Sequence, residues 1–249
     1  MRYALRMAWS ELLHKPVAVL LTALFSGFMG YACGLSAAVS LGGKFPGFNS
    51  ERIFHLGLFY PDFLLLAVLP ALGTLTFSKE YWSWTMFNDE PFLKRLQFYR
   101  MWAIPVKVIA WSRMLHMLLC LGAALLCFLS LFIWGSWPVL SSQISILEYT
   151  AYLFVWVCYA VALNGINPFM EFGSNGKIVT IASLVALPVV FIVINGAHLM
   201  MGMPLYVWLM DVVRAHLFGS IAVALAGSCL GLWLFQQALV YKLSRRNLP

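Results

Sequence analysis

Charged residues are scarce in this chain of 249 residues, because Asp, Glu, Lys and Arg together make up only 10% of it and 62% is hydrophobic. An average soluble domain has about 25% charged residues and about 45–50% apolar ones. This composition excludes an ordinary soluble domain, a disordered chain and a collagen-like fibre. It predicts an integral membrane protein, and no stretch between the apolar segments is long enough to form a separate soluble domain.

Cysteine is also scarce, with five residues in the chain. All five lie inside apolar runs and none lies in a polar loop, which argues against an extracellular disulfide framework and against paired zinc ligands. We therefore expect buried thiols, and we predict no metal site. The residues are Cys33, Cys120, Cys127, Cys158 and Cys229.

Motifs for hydrolytic chemistry are missing. No His is followed by Glu, so the zinc-protease pattern H-E-x-x-H is absent. In the segment 227–231 the serine stands one place too early for G-x-S-x-G. The string at 173–177, Gly-Ser-Asn-Gly-Lys, has the wrong spacing for a nucleotide-binding P-loop, and Ile178 occupies the Ser/Thr position. We predict no catalytic residue and a simple turn at 173–177.

Long runs without charged residues predict the membrane spans. A helix needs about 20 residues to cross the hydrocarbon core, and it satisfies its own backbone hydrogen bonds there. Trimming the runs at Gly, Pro and Ser clusters predicts an all-α membrane protein of one transmembrane domain, residues 1–249. Its six helices are predicted near 17–41, 58–78, 110–134, 147–168, 178–200 and 215–241.

The basic residues predict the orientation. With six spans, 13 of the 16 Lys and Arg residues fall on the side that holds both termini, and only Lys44, Arg52 and Arg214 fall on the other. Cytoplasmic loops carry such an excess, so we expect both termini in the cytoplasm of a multi-pass protein in the cell membrane of a bacterium. The net charge of +7 then reflects topology and anionic lipid, and it does not indicate nucleic acid as a partner.

The N-terminal segment is patterned as an amphipathic helix. Apolar residues of 3–14 fall on one helical face, and Arg2, Arg6, Ser10 and His14 fall on the other. We expect residues 1–15 to form a helix on the inner leaflet that ends before Pro16. The apolar run that follows is longer than the core of a signal peptide, so we expect a retained span. The helix could be a plain anchor or could have a further role.

The longest predicted cytoplasmic connection covers residues 79–109. Three polar residues at 88–90 precede Pro91, which favours the start of a helix there, and Pro105 ends that helix. A second, short helical stretch is predicted from Pro105 to Trp111, leading through Arg113 into the third span. Such helices suit docking to a soluble partner, but a hairpin lying on lipid would have the same pattern.

These features together resemble the membrane subunit of an ABC-2-type ABC transporter. The resemblance rests on six spans with both ends inside, an N-terminal interfacial helix, and the connection with Leu-Lys-Arg-Leu at 93–96 and Ile-Pro-Val-Lys-Val-Ile-Ala-Trp-Ser-Arg-Met-Leu at 104–115. The architecture matches over nearly the whole chain, and the residue-level similarity covers about 90–115. In that family this connection carries a coupling helix that inserts into a cleft of the ATPase subunit.

The resemblance implies a permease subunit of an exporter that forms half of a translocation pathway. It implies a partner ATPase dimer that binds ATP and Mg²⁺, since this chain has no nucleotide site and no cofactor of its own. It also implies a second permease chain, either identical or different. The expected ATPase-coupling residues are Glu90, Leu93, Lys94, Arg95, Pro105, Val106, Lys107, Val108 and Arg113.

Polar residues inside the spans are candidates for a substrate pathway, because they are costly in lipid and often functional. The candidates are His116, Asn164, Asn195 and His198. Asn164 and Asn167 could instead end a helix or join two helices by hydrogen bonds. Asp62 is expected to stabilise the start of a helix, and residues 201–214 are expected to form a short outer or re-entrant helix.

Two other functions stay open from the sequence. One is a substrate-capture membrane subunit of another ABC class, although such subunits typically lack a long second connection with two helices. The other is an intramembrane enzyme, which would need a motif that this chain does not contain. The substrate itself is not indicated by any residue pattern.

Overall fold

The computed structural model describes residues 2–41, 61–74, 91–102, 104–174 and 176–245. Within these ranges the regular structure is entirely helical and contains no strand, so the predicted all-α class is confirmed. Long apolar runs without Gly-Pro clusters favour helices because each segment then pairs its own backbone groups. The helices are α1 (Arg2–Leu13), α2 (Pro16–Ser40), α3 (Pro61–Ala71), α4 (Pro91–Met101), α5 (Val106–Leu140), α6 (Ile146–Asn164), α7 (Ile166–Gly173), α8 (Gly176–Met201), α9 (Leu205–Ala215) and α10 (Leu217–Arg245).

Five helical segments are long and apolar enough to cross a membrane. They are α2, α5, α6 together with most of α7, α8 and α10. The sixth predicted span, 58–78, is described only between residues 61 and 74, and its apolar helix α3 is shorter than the others. Residues 58–60 and 75–78 lie outside the described part of the chain, so the sixth span stays a prediction.

Two helix boundaries differ from the sequence prediction for a clear physical reason. The short stretch predicted at 105–111 is the first part of α5, which starts after Pro105 and runs without a break to Leu140. The fourth predicted span, 147–168, is divided at Gly165, where α6 ends and α7 begins. Pro168 lacks the N–H that would bond to the carbonyl of Asn164, so the helix cannot continue regularly there.

Among the described helices, α2 and α5 have the most extensive contact. A Cβ atom at Gly30 would overlap the backbone of Phe128, and one at Gly34 would overlap the backbone of Phe132. Spaced four residues apart, these glycines let the two backbones come into direct contact, as small residues do between membrane helices. Ser26 also donates a hydrogen bond from Oγ to the carbonyl of Ala124, at 3.0 Å.

Helix α3 lies at the centre of the bundle, in contact with α2, α6, α8 and α9. Its residues 61–65 are all buried, and a π-helical turn occupies Leu64–Val68. A π turn of this kind widens the helix by one residue and leaves backbone groups without their usual partners. The neighbouring helices must therefore supply hydrogen bonds to α3.

One such hydrogen bond comes from Tyr159 on α6. Pro70 has no N–H, so the carbonyl of Leu66 has no donor four residues further along the helix. The Tyr159 hydroxyl donates to that carbonyl at 3.0 Å. A buried carbonyl without a partner would be costly, and this side chain removes the cost.

Helices α8 and α10 contribute least to the buried core. Most of their long apolar side chains are exposed, in contrast to those of α5 and α6. Helix α10 is held to α6 by close contacts, since a Cβ at Gly231 would press on Ala162 and one at Gly165 would press on Phe235. The broad apolar faces of α8 and α10 thus form the outside of the described bundle.

Candidate functional site

Helix α1 packs against α5 with a stripe of small residues. Ala4 and Ala8 are fully buried there, while Leu5, Trp9 and Leu13 point outward and are about half exposed or more. The helix predicted over 3–14 is therefore present, and one apolar edge of it faces away from the bundle. The acidic side chain of Glu11 follows the buried alanines at helical spacing and so also turns toward α5.

Glu11 is the centre of a buried ionic cluster. Its carboxylate lies 2.8 Å from Nη1 of Arg113 on α5 and 2.6 Å from Nη1 of Arg95 on α4. Nε2 of His116, one turn further along α5, is 4.0 Å from the same carboxylate. The side chains of Glu11 and Arg113 are 8% and 5% exposed, so this pair is largely shielded from water. The cluster joins α1 to α4 and α5, two consecutive helices that are far from α1 in the chain.

Arg113 has a second neighbour on its other side. Its guanidinium carbon is 4.5 Å from the centre of the Phe172 ring on α7, which is the geometry of a cation–π contact. Its Nη2 atom is buried and has no hydrogen-bond partner among the described residues. The single arginine therefore connects α1, α5 and α7, and its charge depends on Glu11 for compensation.

The cluster keeps Glu11 ionised. Burial by itself raises the pKa of Glu11, but the nearby charges of Arg113, Arg95 and His116 and the hydrogen bond from Arg113 bring it below the ordinary value. Arg95 in turn donates from Nε to the Tyr99 hydroxyl at 3.2 Å. The arrangement is electrostatic and structural, and Nε2 of His116 also lies 3.7 Å from the Sγ atom of Cys120 on the same helix.

The predicted coupling residues separate into exposed and buried groups. Lys94, Pro105 and Lys107 are exposed, and Val106 and Val108 are half-buried beside them. Arg95 and Arg113 instead point inward to Glu11, so they do not belong to the same exposed surface. Glu90 lies outside the described residues, and Leu93 lies on α4 in a part whose side chains are not described.

The four pathway candidates do not come together. His116 belongs to the ionic cluster, where its Nδ1 lies 3.4 Å from the Ala8 carbonyl. Asn164 is fully buried at the end of α6 and its Oδ1 accepts from Asn167 at 2.8 Å. Asn195 is exposed and donates to the carbonyl of Phe191 on its own helix. His198 is exposed on α8. The described residues thus provide no shared polar site for these four.

Asn164 and Asn167 act between helices in this structure. A Cβ at Gly73 would overlap the Asn164 side chain, so the asparagine sits directly on the backbone that follows α3. Asn167 reaches the Pro70 carbonyl with Nδ2 at 3.5 Å. This placement favours the interhelical role that the sequence left open over a contact with substrate.

At the opposite end of the bundle, Asp62 holds the start of α9. Its carboxylate is buried and accepts hydrogen bonds from the backbone N–H groups of Leu205 and Tyr206, at 2.9 and 2.7 Å. His198 lies close enough to interact with it electrostatically. The sequence predicted that Asp62 stabilises a helix start, but the helix it stabilises most directly is α9, 143 residues away. The short helix expected within 201–214 is α9 itself.

Sequence reasoning did not identify Glu11. It is the only acidic residue among the first 50, in a segment of Arg, His and Lys, and that isolation was the available signal. Its helical phase with Ala4 and Ala8 was a second signal. The pairing with Arg95 and Arg113 could not be deduced, because it depends on how α1, α4 and α5 meet.

Comparison with known proteins identifies no relative of this chain. No family model matches the chain, and neither a curated protein nor a solved structure does.

Proposed function

We propose that this chain is the permease subunit of an ATP-driven exporter of the ABC-2 type. Its five long apolar helices, with α3 as part of a sixth span, would form half of a translocation pathway. A second permease chain, identical or different, would supply the other half. ATP and Mg²⁺ would bind to a separate ATPase dimer, and both termini of this chain would lie in the cytoplasm.

The observation that carries the proposal is the ionic cluster around Glu11. A coupling element must transmit a conformational change from a soluble ATPase to helices in the membrane, and this requires rigid contacts. Helix α4 is tied through Arg95 to Glu11 on α1, and Glu11 is tied through Arg113 to the long helix α5. A displacement of α4 would therefore move α1 and α5 together.

The exposed residues beside the cluster are the proposed ATPase contacts. Lys94 lies on α4, and Pro105 and Lys107 lie where α5 begins. Charged groups at such positions select the partner and its register more than they add affinity. Arg95 and Arg113 would then position the coupling surface without touching the ATPase.

Purification from native membranes tests the proposal. The tagged full chain should co-purify with an ATPase subunit and with ATP hydrolysis activity. Lys107→Glu should abolish both, because the reversed charge would repel the docking surface. Lys177→Glu is the matched control, since it reverses an exposed lysine at the start of α8 and should leave the complex intact.

Thiol labelling tests the orientation. Single cysteines introduced at Lys94 and Asp211 in a cysteine-free chain should react with an impermeant reagent from opposite sides of the membrane, position 94 from the cytoplasm. Labelling of position 94 from outside would contradict the proposal. Tight substrate binding by the purified chain without any ATPase would instead favour a substrate-capture subunit.

A further inference from the structure

A cavity of about 370 Å³ opens next to the ionic cluster, between α1 and α4. This volume is at the lower end of the range for small-ligand sites, about 300–1,000 Å³. The cavity is formed by one face of α1, by the two residues between α1 and α2, and by two residues of α4. Its lining residues are Met7, Ser10, Glu11, His14, Lys15, Arg95 and Tyr99.

Positive charge dominates this cavity. Lys15 and Arg95 line it against a single carboxylate, that of Glu11. Arg113, just behind Glu11, donates to both of its oxygens at 2.8 and 2.9 Å. Among the described residues that line or back the cavity, three permanent cations thus face one anion. The site favours a negatively charged guest over a cation.

The donor groups of the lining suit an oxyanion. Arginine presents a planar set of N–H groups and lysine a mobile ammonium, and both bind phosphate oxygens well. The His14 Nδ1 donates to the Ser10 carbonyl at 2.6 Å, which fixes the ring at the cavity wall. Tyr99 holds Arg95 by accepting from its Nε at 3.2 Å. These contacts orient the lining before any ligand arrives.

The position of the cavity also favours a guest from the membrane surface. On α1 the outward apolar residues, including Trp9 and Leu13, lie on a different face from the cavity residues Ser10 and His14. A helix of this kind lies in the interface with its polar side at headgroup level. Basic pockets at that level are suited to anionic headgroups.

We propose that this cavity binds a phosphate group, carried by an anionic phospholipid or by a small soluble phosphate. The bound group would accept hydrogen bonds from Lys15 and Arg95 and would lie against α1 and α4. Occupancy would hold α4 against α1 at the ionic cluster. The proposal concerns the isolated chain, so it does not depend on an ATPase partner.

The test for a lipid ligand uses the purified full chain in neutral detergent. Native mass spectrometry with added phosphatidylglycerol or phosphatidylcholine should show retention of the anionic lipid alone. Lys15→Gln and Arg95→Gln should each weaken retention by about tenfold, the effect of losing one charge-assisted contact. Arg95→Lys should keep most of it. Arg6→Gln, which removes an exposed charge from α1 outside the cavity, should have no effect.

The test for a soluble ligand measures the thermal midpoint of the purified chain with inorganic phosphate, and with chloride at the same ionic strength as the reference. A rise in the thermal midpoint that Lys15→Gln abolishes, without selective lipid retention, would assign the site to a free phosphate. The melting curve of each variant shows that it folds, and Lys15→Gln leaves the Glu11–Arg113 pair untouched. If neither probe binds, or if the Lys15 and Arg95 variants bind like the Arg6 control, the proposal is overturned.

Discussion

Arg113 on α5 binds Glu11 on α1 through one nitrogen, Nη1, which donates to both carboxylate oxygens at 2.8 and 2.9 Å. The two residues are 102 positions apart in the chain, and both side chains are buried. Each charge would be costly without the other, because neither can be solvated freely. This pair therefore fixes the position of α1 on the bundle.

Removing one partner of this pair should destabilise the protein. We expect Glu11→Gln to lower the free energy of unfolding by about 3 kcal/mol, since it leaves the Arg113 charge buried without compensation. The double variant Glu11→Leu/Arg113→Met should recover much of the loss, because both charges are then absent. Denaturant unfolding in mixed micelles measures both variants, and a double variant that is no more stable than Glu11→Gln would contradict the buried pair.

Acid should weaken the same contact. The pKa of Glu11 is lowered in the folded protein, so its contribution to stability is fully present above the ordinary glutamate pKa of about 4.3 and is lost as the pH falls through the lowered value. We expect the difference in thermal midpoint between the native chain and Glu11→Gln to stay constant near neutral pH and to shrink below about pH 4. A difference that persists in strong acid would show that ionisation of Glu11 is not involved.

Tyr159→Phe should destabilise the centre of the bundle. The change removes the donor to the Leu66 carbonyl, and we expect a loss of about 1–3 kcal/mol in the free energy of unfolding. The same change should cost less in a Pro70→Ala background, because residue 70 then has an N–H of its own near that carbonyl. An equal cost in both backgrounds would disprove the link between Pro70 and Tyr159.

The contact between α2 and α5 should not accept even a methyl group. Gly30→Ala would force a Cβ into the Phe128 backbone, and we expect a loss of about 1–3 kcal/mol. Gly122→Ala is the matched control, because a methyl group at this helical glycine would meet no side chain or neighbouring helix of the described residues within 4 Å. That variant should be neutral or stabilising by up to about 1 kcal/mol. Thermal melts that compare the midpoints of the two variants test this prediction.

Asp62 should contribute more to the stability of the protein than Asp211, an acidic residue within α9. Asp62→Ala removes the acceptor for two backbone N–H groups of α9, and we expect it to cost about 1–2 kcal/mol. Asp211→Ala should change stability by less than about 0.5 kcal/mol, because Asp211 is exposed and its pair with Arg214 is long, at 3.9 Å. Hydrogen exchange of the first turn of α9 should increase in the Asp62 variant alone.

Much of the helical framework could be predicted from local pattern. Uncharged apolar runs located α2, α5, α8 and α10 to within a few residues at most ends, because a helix bonds within itself and depends on its own segment. Helix α5 starts directly after Pro105, where the sequence predicted a short helical stretch, and the fourth predicted span is divided near Pro168. Helices α5 and α8 continue through Pro138 and Pro188. The presence of a proline therefore did not by itself decide which helices are interrupted.

The roles of the polar residues depended on partners elsewhere in the chain. The sequence predicts a pathway role for His116 and a coupling role for Arg95 and Arg113, and the structure places all three side chains around Glu11. Asp62 was expected to serve a nearby helix start, and it caps α9 as well.

Hydrophobicity is a property of each segment, so the sequence alone was enough to predict an all-α chain with helices long and apolar enough to cross a membrane. The pairing of buried charges and carbonyl groups depends instead on how the segments pack against one another. Only the packing of α1, α4 and α5, and of α3 with α6 and α9, decided which polar groups compensate one another.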